Sequence, residues 1–237
     1  DTMENPYQQL IVWDPDAEKI LGGYRYILGG DIKLDENGQP LLATAHMFHF
    51  SKKFVEEYLP YTIELGRSFV TPEYQSSKAG AKALFALDNL WDGIGGIVAT
   101  DPSVKYLAGK VTIYSSSPEL SRKAMVYYLD KHFGDRKGLL TSKNPERWTQ
   151  EQEEYFQEMF TGAGYKEDYQ ILNNFVKSMG DVIPPLIHSY IGLSETMKTF
   201  GTTFDPDFGD CYDTAMMITI ADIYKEKYDR YIGSFNN

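Results

Sequence analysis

Cysteine is almost absent from this sequence. Cys211 is the single cysteine among 237 residues. One thiol cannot form an internal disulfide, so a disulfide-stabilised fold is excluded and we expect a reducing compartment. No histidine or lysine stands near it in the sequence to activate the thiol. We therefore interpret Cys211 as a small buried apolar side chain.

Long apolar runs and an excess of positive charge are also missing. No stretch of about 18 consecutive apolar residues occurs, so a spanning helix is excluded, and the first residues of the given sequence do not resemble a signal peptide. The 23 lysine and arginine residues are outnumbered by 34 aspartate and glutamate residues, for a net charge of −11. Nucleic acid requires a basic surface, so we expect no nucleic-acid partner. We expect a cytoplasmic protein whose contact with the inner membrane is peripheral and transient.

The motifs of covalent and metal-assisted catalysis are missing as well. There is no Gly-x-Ser-x-Gly motif, and no cluster of histidine and cysteine offers a zinc site. The acidic stretch at 205–213 lacks the central glycine and the distal glutamate of an EF-hand loop, so we expect its aspartates to cap and turn the chain. We predict no metal site and no covalent enzyme intermediate.

The sequence does contain enough apolar residues to build one core. They make up 42% of the chain, which predicts a single domain over residues 1–237. Alternating and β-branched runs predict strands at 10–14, 23–28, 62–70, 108–114 and 214–220. Helical spacing predicts helices at 48–58, 78–98, 118–133, 149–160 and 185–193. Ser117 is the expected N-cap of the third helix, and Thr149 with Gln152 forms a capping box for the fourth.

The strand at 62–70 carries an unusual pair of charges. Glu64 and Arg67 lie three residues apart among apolar positions, and this odd spacing would direct them to opposite faces of a regular sheet. Gly66 lies between them, where a β-bulge would redirect one side chain, and bulges are frequent beside active sites. The pair is therefore either an ion pair on a strand edge or part of a catalytic site.

The run Glu-Leu-Gly-Arg-Ser at 64–68 closely resembles a strand of bacterial lipid N-acyltransferases of the GNAT superfamily, which include ornithine lipid and glycine lipid synthases and hemolysin-like proteins. Further matching segments follow in the order found in that family. They lie at 10–14, 21–25, 90–94, 107–113, 183–186 and 204–208. With the strand pair at 10–14 and 21–25 counted as one segment, five segments in the correct order make a chance match improbable, although each motif alone is a hypothesis about its context.

The resemblance implies an α+β, three-layer GNAT acyltransferase fold. Its central sheet is mixed but mostly antiparallel and is flanked by helices, here with additional C-terminal helices. The resemblance also implies that a further N-terminal segment precedes this sequence. The co-substrate would be acyl-CoA or the phosphopantetheine of an acyl carrier protein, with no tightly bound cofactor, and its arm would enter beside the strand at 62–70.

The resemblance assigns Glu64, Arg67 and Ser68 to the catalytic site. Glu64 would be the general base, because a carboxyl group on a partly desolvated strand has a raised pKa. Arg67 would either orient Glu64 or pair with a carboxylate of the acceptor. Backbone N–H groups near Phe69 and Val70 would bind the carbonyl oxygen of the thioester.

Donor binding is assigned to the loop before the helix at 78–98 and to one tyrosine. Gln75, Lys78 and Gly80 occupy the phosphate-binding loop of the fold, where free N–H groups at a helix start attract an anion. Lys78 replaces a glycine of the usual motif, and it is either a phosphate ligand or a solvated side chain. Tyr114 would contact the donor, and Tyr114 or Tyr127 would return a proton to the thiolate.

The resemblance favours an enzyme that moves a long acyl chain, with or without a 3-hydroxyl group, from acyl carrier protein or CoA to the α-amine of an amino acid by direct attack. One alternative is a signal synthase similar to acyl-homoserine lactone synthases, which share a Glu-Leu-Ser-Arg strand. Others are a membrane-active hemolysin without enzymatic activity and a degenerate fold that only binds an acyl carrier. The sequence also contains a cluster of cationic residues, which is either a docking surface for the acidic carrier protein or ordinary solvated surface. It comprises Arg122, Lys123, Lys131, Arg136, Lys137, Lys143 and Arg147.

Overall fold

The computed structural model describes residues 7–74 and 81–235. The strands are β1 (Gln8–Asp14), β2 (Lys19–Leu28), β3 (Phe48–Phe50), β4 (Thr62–Val70), β5 (Tyr106–Ile113), β6 (Leu140–Ser142), β7 (Lys198–Asp205) and β8 (Cys211–Thr219). The helices are α1 (Ala81–Thr100), α2 (Glu119–Phe133), α3 (Gln150–Met159), α4 (Tyr165–Ser178), α5 (Pro185–Ile191) and α6 (Lys225–Tyr231). This is the α+β fold that the sequence predicts.

Six strands form one mixed sheet in the order β1-β2-β4-β5-β8-β7. Its neighbouring strands run antiparallel except for β4 and β5, which are parallel. On one face, Ile63 and Leu65 of β4 pack in the larger core with the buried side chains of the helices. On the other face, a smaller core joins Ile27 and Met217 to the segment at 32–59 and to the separate pair of strands β3 and β6. The sheet is therefore the middle of three layers.

β4 and β5 part at the centre of the sheet. Their pairing ends at Leu65 and Gly109, although β4 continues to Val70 and β5 to Ile113. A Cβ atom at Gly109 would lie 2.8 Å from the carbonyl oxygen of Leu65, so the close approach at the last pair requires glycine. The alternating burial of β5, with Val111 and Ile113 buried, matches the predicted alternation.

The bulge expected beside Gly66 is present. Arg25 of β2 pairs with Gly66 and Gly23 pairs with Phe69, so two residues of β4 oppose one residue of β2. Arg67 has a positive φ of 47° and takes up the extra residue. Since one inserted residue reverses the alternation, Phe69 returns to the face of the sheet that carries Glu64.

The helix predicted at 48–58 is wrong in its first part. Phe48–Phe50 forms β3 and pairs with β6, and the chain becomes helical only afterwards, with a π-type turn at Phe54–Tyr58. Phe48, Phe50 and Phe54 of this segment are buried in the smaller core. Three phenylalanines spaced by two and by four residues fit both periods, and the tertiary contact with β6 selects the strand.

The predicted N-cap of α2 is wrong, whereas the predicted capping box of α3 is confirmed. Pro118, and not Ser117, occupies the N-cap of α2, and no side chain caps that helix. The capping box of α3 is confirmed, because Thr149 Oγ1 accepts from Gln152 N and Gln152 Oε1 accepts from Thr149 N. Ser117 fails as a cap because the proline after it does not enter the helix.

Four elements escape a sequence-based prediction, namely the short β6 and α6 and the longer α4 and β7. α4 is built from mixed polar and aromatic residues, and β7 is rich in threonine. The threonines of β7 are nevertheless buried, and Thr202 Oγ1 lies 2.6 Å from Thr214 Oγ1 of β8. Gly201 has a φ of 87° and lies where the register between β7 and β8 shifts. Threonine hydroxyls can be buried when they hydrogen-bond to each other. Such a strand is buried without showing an apolar pattern in the sequence.

None of the helices in the described part of the chain is both long enough and apolar enough to cross a membrane.

Candidate active site

Glu64 is a buried carboxyl group in the middle of the sheet. It pairs with Ile27 of β2 and with Ala108 of β5, and 6% of its surface is exposed. Tyr7 donates its hydroxyl to Glu64 Oε2 at 3.0 Å, and Thr44 donates its hydroxyl to Oε1 at 3.0 Å. Within the described part of the chain, each carboxylate oxygen accepts one neutral donor and has a second lone pair available.

Burial raises the pKa of Glu64 above its ordinary value. The hydrogen bonds from Thr44 and Tyr7 and the positive charges of Arg25 and Lys110 oppose this shift, but the pKa remains raised. Burial and the nearby carboxylate also raise the pKa of Tyr7, so its hydroxyl stays protonated and remains a donor. The arrangement holds a carboxyl group that gains a proton more readily than a solvated glutamate.

Tyr7 links this carboxyl group to a buried arginine. The guanidinium carbon of Arg25 lies 4.0 Å from the centroid of the Tyr7 ring, and Arg25 is buried. The Tyr7 hydroxyl also accepts from the backbone N–H of Ala43 at 3.3 Å. Sequence reasoning did not identify Tyr7 or Thr44, because these partners lie 57 and 20 residues from Glu64 along the chain.

A second polar group lies on the same face, where β5 has left β4. Lys110 Nζ forms an ion pair with Asp213 and lies 3.9 Å from Asp205 Oδ2. Thr112 donates its hydroxyl to Asp213 Oδ1 at 2.6 Å, and His46 Nε2 lies 3.3 Å from Asp205 Oδ2. The expectation that the aspartates at 205–213 only cap and turn the chain is wrong for Asp213, which is buried within β8.

The bulge separates Arg67 and Ser68 from Glu64. Both residues oppose Tyr24 of β2, whose hydroxyl is buried in the helical layer. Arg67 and Ser68 are exposed, whereas Glu64 is buried. Burial raises the pKa of Tyr24 to about 12, and Ser68 lies close enough to the Tyr24 hydroxyl to oppose this shift. The structure therefore places Glu64 on one face of the sheet and the exposed Arg67 and Ser68 beyond the bulge.

Phe69 and Val70 follow the bulge and pair with Gly23 and Gly22 of β2. A Cβ atom at Gly23 would lie 2.9 Å from the ring of Phe69, so the ring occupies the space above the glycine. Phe69 is 46% exposed. Gln75, Lys78 and Gly80 lie outside the described residues.

The two tyrosines proposed as proton donors differ in their surroundings. Tyr114 follows β5 and is 65% exposed. Tyr127 of α2 packs against Trp148, Phe156 and Phe160 in the helical layer. Burial raises the pKa of Tyr127, which makes it a weaker acid. Its aromatic neighbours give it a packing role.

Most of the cationic cluster is paired with carboxylates. Arg122 is buried against Glu146 and stacks on Tyr212. Three further cations pair with acidic side chains, which are Glu119 for Lys123, Asp168 for Lys131 and Asp130 for Arg136. This reduces the net positive charge that the cluster presents to a partner.

Cys211 is fully buried at the start of β8, as predicted. Burial raises the pKa of its thiol to about 11, which keeps it protonated and unreactive. Within residues 7–74 and 81–235 no group of three or more histidine, cysteine, aspartate or glutamate residues could hold a metal ion.

This chain is similar to known acyltransferases. A family model described as acetyltransferase (GNAT) domain matches residues 1–84. The chain is 52% identical over 235 residues to a glycine N(alpha)-acyltransferase of Phocaeicola vulgatus, covering 99% of this chain and 72% of that protein. It is 53% identical over 235 residues to a glycine N(alpha)-acyltransferase of Bacteroides thetaiotaomicron, covering 99% of this chain and 69% of that protein.

Among solved structures, an aminoglycoside 6'-N-acetyltransferase complexed with coenzyme A aligns over 92% of this chain and 75% of its own, with 13% identity and a TM-score of 0.36.

Proposed function

Because this chain belongs to the GNAT-superfamily N-acyltransferases, we propose that it transfers a long fatty acyl group from a thioester to the α-amine of glycine. N-acyltransferase activity on an amino acid is supported by its two relatives. Glycine as the acceptor is supported by the two relatives, which are named for it. The long, 3-hydroxylated acyl chain is the expectation from the lipid synthases that the sequence resembles.

The buried carboxyl group of Glu64 is the observation that carries the proposal. An amino acid arrives mainly as an ammonium ion at neutral pH, and it must lose a proton before its nitrogen can attack. A carboxylate with a raised pKa accepts that proton more readily than a solvated one. The donors Tyr7 and Thr44 fix the carboxylate while leaving a lone pair on each oxygen for the ammonium group.

The donor would enter where β4 and β5 part, beyond Leu65 and Gly109. A thioester carbonyl placed there would lie beside the bulge, near the face of the sheet that carries Glu64. Backbone N–H groups near Phe69 and Val70 would bind its oxygen as negative charge develops. The donor carrier is either coenzyme A or an acyl carrier protein, and both present the same phosphopantetheine arm.

The reaction balances with the residues present. The ammonium group gives one proton to Glu64, and the amine attacks the thioester carbon to form a tetrahedral intermediate. Its collapse breaks the carbon–sulfur bond and forms the amide, and the thiolate takes the second proton of the nitrogen. Glu64 then returns its proton to solvent, so no covalent enzyme intermediate is needed.

The test is lipid mass spectrometry of cells that express the protein, beside cells that express Glu64→Gln. We expect a new N-acyl glycine with the first and none with the second. Glu57→Gln is the matched control, because Glu57 is an exposed glutamate paired only with Lys53 at 3.7 Å in the part of the chain described. Retention of the product with Glu64→Gln would refute Glu64 as the base.

The same experiment separates the proposal from its alternatives. A new acyl-homoserine lactone in place of an N-acyl amino acid would point to a signal synthase. A product built on ornithine would correct the acceptor while keeping the chemistry. Absence of any new acylated product, with the protein folded and long acyl donors present, would reject the proposed function.

A further inference from the structure

Arg25 is a buried cation on the face of the sheet that carries Glu64. Ile27 of β2 pairs with Glu64 of β4, and Arg25 lies two residues earlier on β2, where it pairs with Gly66. Because side chains alternate between the two faces of a strand, Arg25 and Ile27 leave the sheet on the same face as Glu64. Such diagonal neighbours are about 7–8 Å apart, which is within reach of a long side chain. Arg25 therefore lies beside Glu64, in the direction of the bulge.

Tyr7 connects the two charged groups. Its ring covers the guanidinium of Arg25, whose central carbon lies 4.0 Å from the ring centroid, and its hydroxyl donates to Glu64 Oε2 at 3.0 Å. A single side chain is thus in contact with the cation and with the carboxyl group. Stacking on a ring uses the flat face of a guanidinium, whereas its N–H donors lie in its plane. The contact with Tyr7 therefore fixes Arg25 without using its hydrogen-bond donors.

The two charges match the two charges of an amino acid. Arg25 is 5% exposed and Glu64 is 6% exposed, so a ligand between them would be largely removed from water. Glycine carries an ammonium group and a carboxylate on one carbon atom. The ammonium group complements Glu64, and the carboxylate complements a guanidinium, which binds both carboxylate oxygens at once. A site with this charge pattern recognises an α-amino acid better than a simple amine.

Two other cations are less suited to this role. The ammonium group of Lys110 pairs with Asp213 of β8 and lies 3.9 Å from Asp205 Oδ2 of β7, on the side of β5 away from β4. Arg67, one of whose expected roles was to pair with the carboxylate of the acceptor, is exposed in the bulge beyond Glu64. Arg25 is the buried cation next to Glu64 on the neighbouring strand.

We propose that Arg25 binds the α-carboxylate of the acceptor amino acid while Glu64 takes a proton from its ammonium group. The inference rests on the proposed function, in which Glu64 is the base. With its carboxylate bound by Arg25 and its nitrogen at Glu64, the acceptor is held at two points. This orients the nitrogen toward the thioester carbon beside the bulge. Arg25 thereby makes the site selective for acceptors that carry a carboxylate.

The test compares glycine with glycinamide, which keeps the amine and carries no carboxylate. The donor is palmitoyl-CoA or palmitoyl acyl carrier protein, whichever wild type uses, and kcat/KM is measured for both acceptors. Arg25→Met removes the guanidinium, and Arg25→Lys keeps the charge without the planar fork. Arg67→Met removes the other arginine considered for this role.

The measured quantity is the ratio of the two kcat/KM values, which is the preference for glycine. Both acceptors are measured on the same preparation, so the fraction of folded protein cancels in the ratio. The intrinsic difference between the two amines is the same for every variant, so it cancels when a variant is compared with wild type. A variant that folds poorly therefore still reports on the role of Arg25.

We expect wild type to prefer glycine, and we expect Arg25→Met to reduce this preference by about 10- to 100-fold, which corresponds to one hydrogen-bonded contact between charged groups. The loss should appear mainly in KM for glycine, because the carboxylate is bound before and during the reaction. Arg25→Lys should give a smaller reduction. Arg67→Met should leave the preference within about twofold of wild type, since surface charges contribute little.

Two results would overturn the inference. A structural role of Arg25 would lower kcat/KM for both acceptors by the same factor, so the preference for glycine would survive in Arg25→Met. Loss of the preference in Arg67→Met, with Arg25→Met unaffected, would assign the carboxylate to Arg67.

Wild type separates this inference from the proposed function. If wild type forms no N-acyl glycine with either donor, the proposed function fails and the inference fails with it. If wild type forms N-acyl glycine and its preference for glycine persists in Arg25→Met, the proposed function stands and only the inference is refuted.

Discussion

The pKa values of two buried carboxyl groups of this protein are shifted in opposite directions. The difference lies in the groups that donate hydrogen bonds to them. Glu64 accepts hydrogen bonds from the neutral hydroxyls of Tyr7 and Thr44, and burial raises its pKa. Asp168 of α4 is fully buried as well, which by itself raises the pKa, but Lys131, the N–H of Gly162 and His132 together outweigh that effect and lower it.

The geometry explains why the two networks serve different ends. Lys131 Nζ and His132 Nε2 of α2 each lie 2.8 Å from Asp168 Oδ2, and Gly162 N donates to Oδ1 at 2.7 Å. This network joins α2 to α4 and to the loop before α4. Cationic donors make a carboxylate a structural tie, whereas neutral donors leave it able to take up a proton. Burial alone does not distinguish the two roles.

The largest effect that tests this contrast is on catalysis. Glu64→Gln should lower kcat/KM for glycine by about 10²–10⁴-fold, because general-base catalysis contributes that range. Asp168→Asn should leave kcat per folded molecule unchanged, since Asp168 lies in the helical layer on the other side of the sheet. Steady-state kinetics on both purified variants makes the comparison. Equal losses of kcat in the two would remove the functional distinction.

The second largest effect is a loss of stability, and it is expected when Asp168 is replaced. Asp168→Asn should lower the free energy of unfolding by about 2–3 kcal/mol, since it removes hydrogen bonds from charged donors to a buried acceptor. Urea denaturation at neutral pH measures this change. Asp130→Asn is the control, because Asp130 pairs with Arg136 at the surface, and we expect it to change stability by less than about 1 kcal/mol. A loss for Asp168→Asn no greater than that of the control would contradict the structural tie.

The third prediction sharpens the role of the neutral donors. Tyr7→Phe and Thr44→Val each remove one hydroxyl that lowers the pKa of Glu64. The acid limb of kcat should therefore move to higher pH in both variants. We expect kcat at the optimum to fall by about tenfold, which is the value of one hydrogen bond to a charged group. If a pH–rate profile of either variant has its acid limb at or below the wild-type position, the hydroxyls do not support the ionised form.

The smallest expected effect is in the pH dependence of stability. The folded-state pKa of Glu64 is raised above 4.5, so the folded state binds more protons than the unfolded state between that value and the raised pKa. Its contribution to stability therefore falls as the pH rises through this window. Glu64→Gln should gain stability relative to wild type as the pH increases from about 4 to neutrality.

Asp168 should give the opposite slope in the same measurement. Its folded-state pKa is lowered below 3.8, so its contribution is present above that value and is lost as the pH falls through the folded-state pKa. The advantage of wild type over Asp168→Asn should thus shrink in acid. Thermal midpoints across the pH range report both differences, and slopes of the same sign would contradict the contrast between the two carboxyl groups.

Sequence reasoning reached the strand and the bulge, but not the groups that surround Glu64. The charges at Glu64 and Arg67 within an apolar run indicated a special strand, and the bulge beside Gly66 is present. The helix at 48–58 failed because phenylalanines at those spacings suit either period and only β6 selects the strand. β7 was missed because its buried threonines satisfy one another across the strands and do not appear as an apolar run.

The sequence by itself determined the α+β class, the strand that carries Glu64 and the family to which the chain belongs, because local periodicity and a short motif are written in neighbouring residues. Only the tertiary structure decided which groups surround the Glu64 carboxyl. Tyr7 reaches it across 57 residues and Thr44 across 20. The proton affinity of a carboxyl group depends on desolvation and on the charges within a few ångströms, and both arise only when distant segments of the chain pack together.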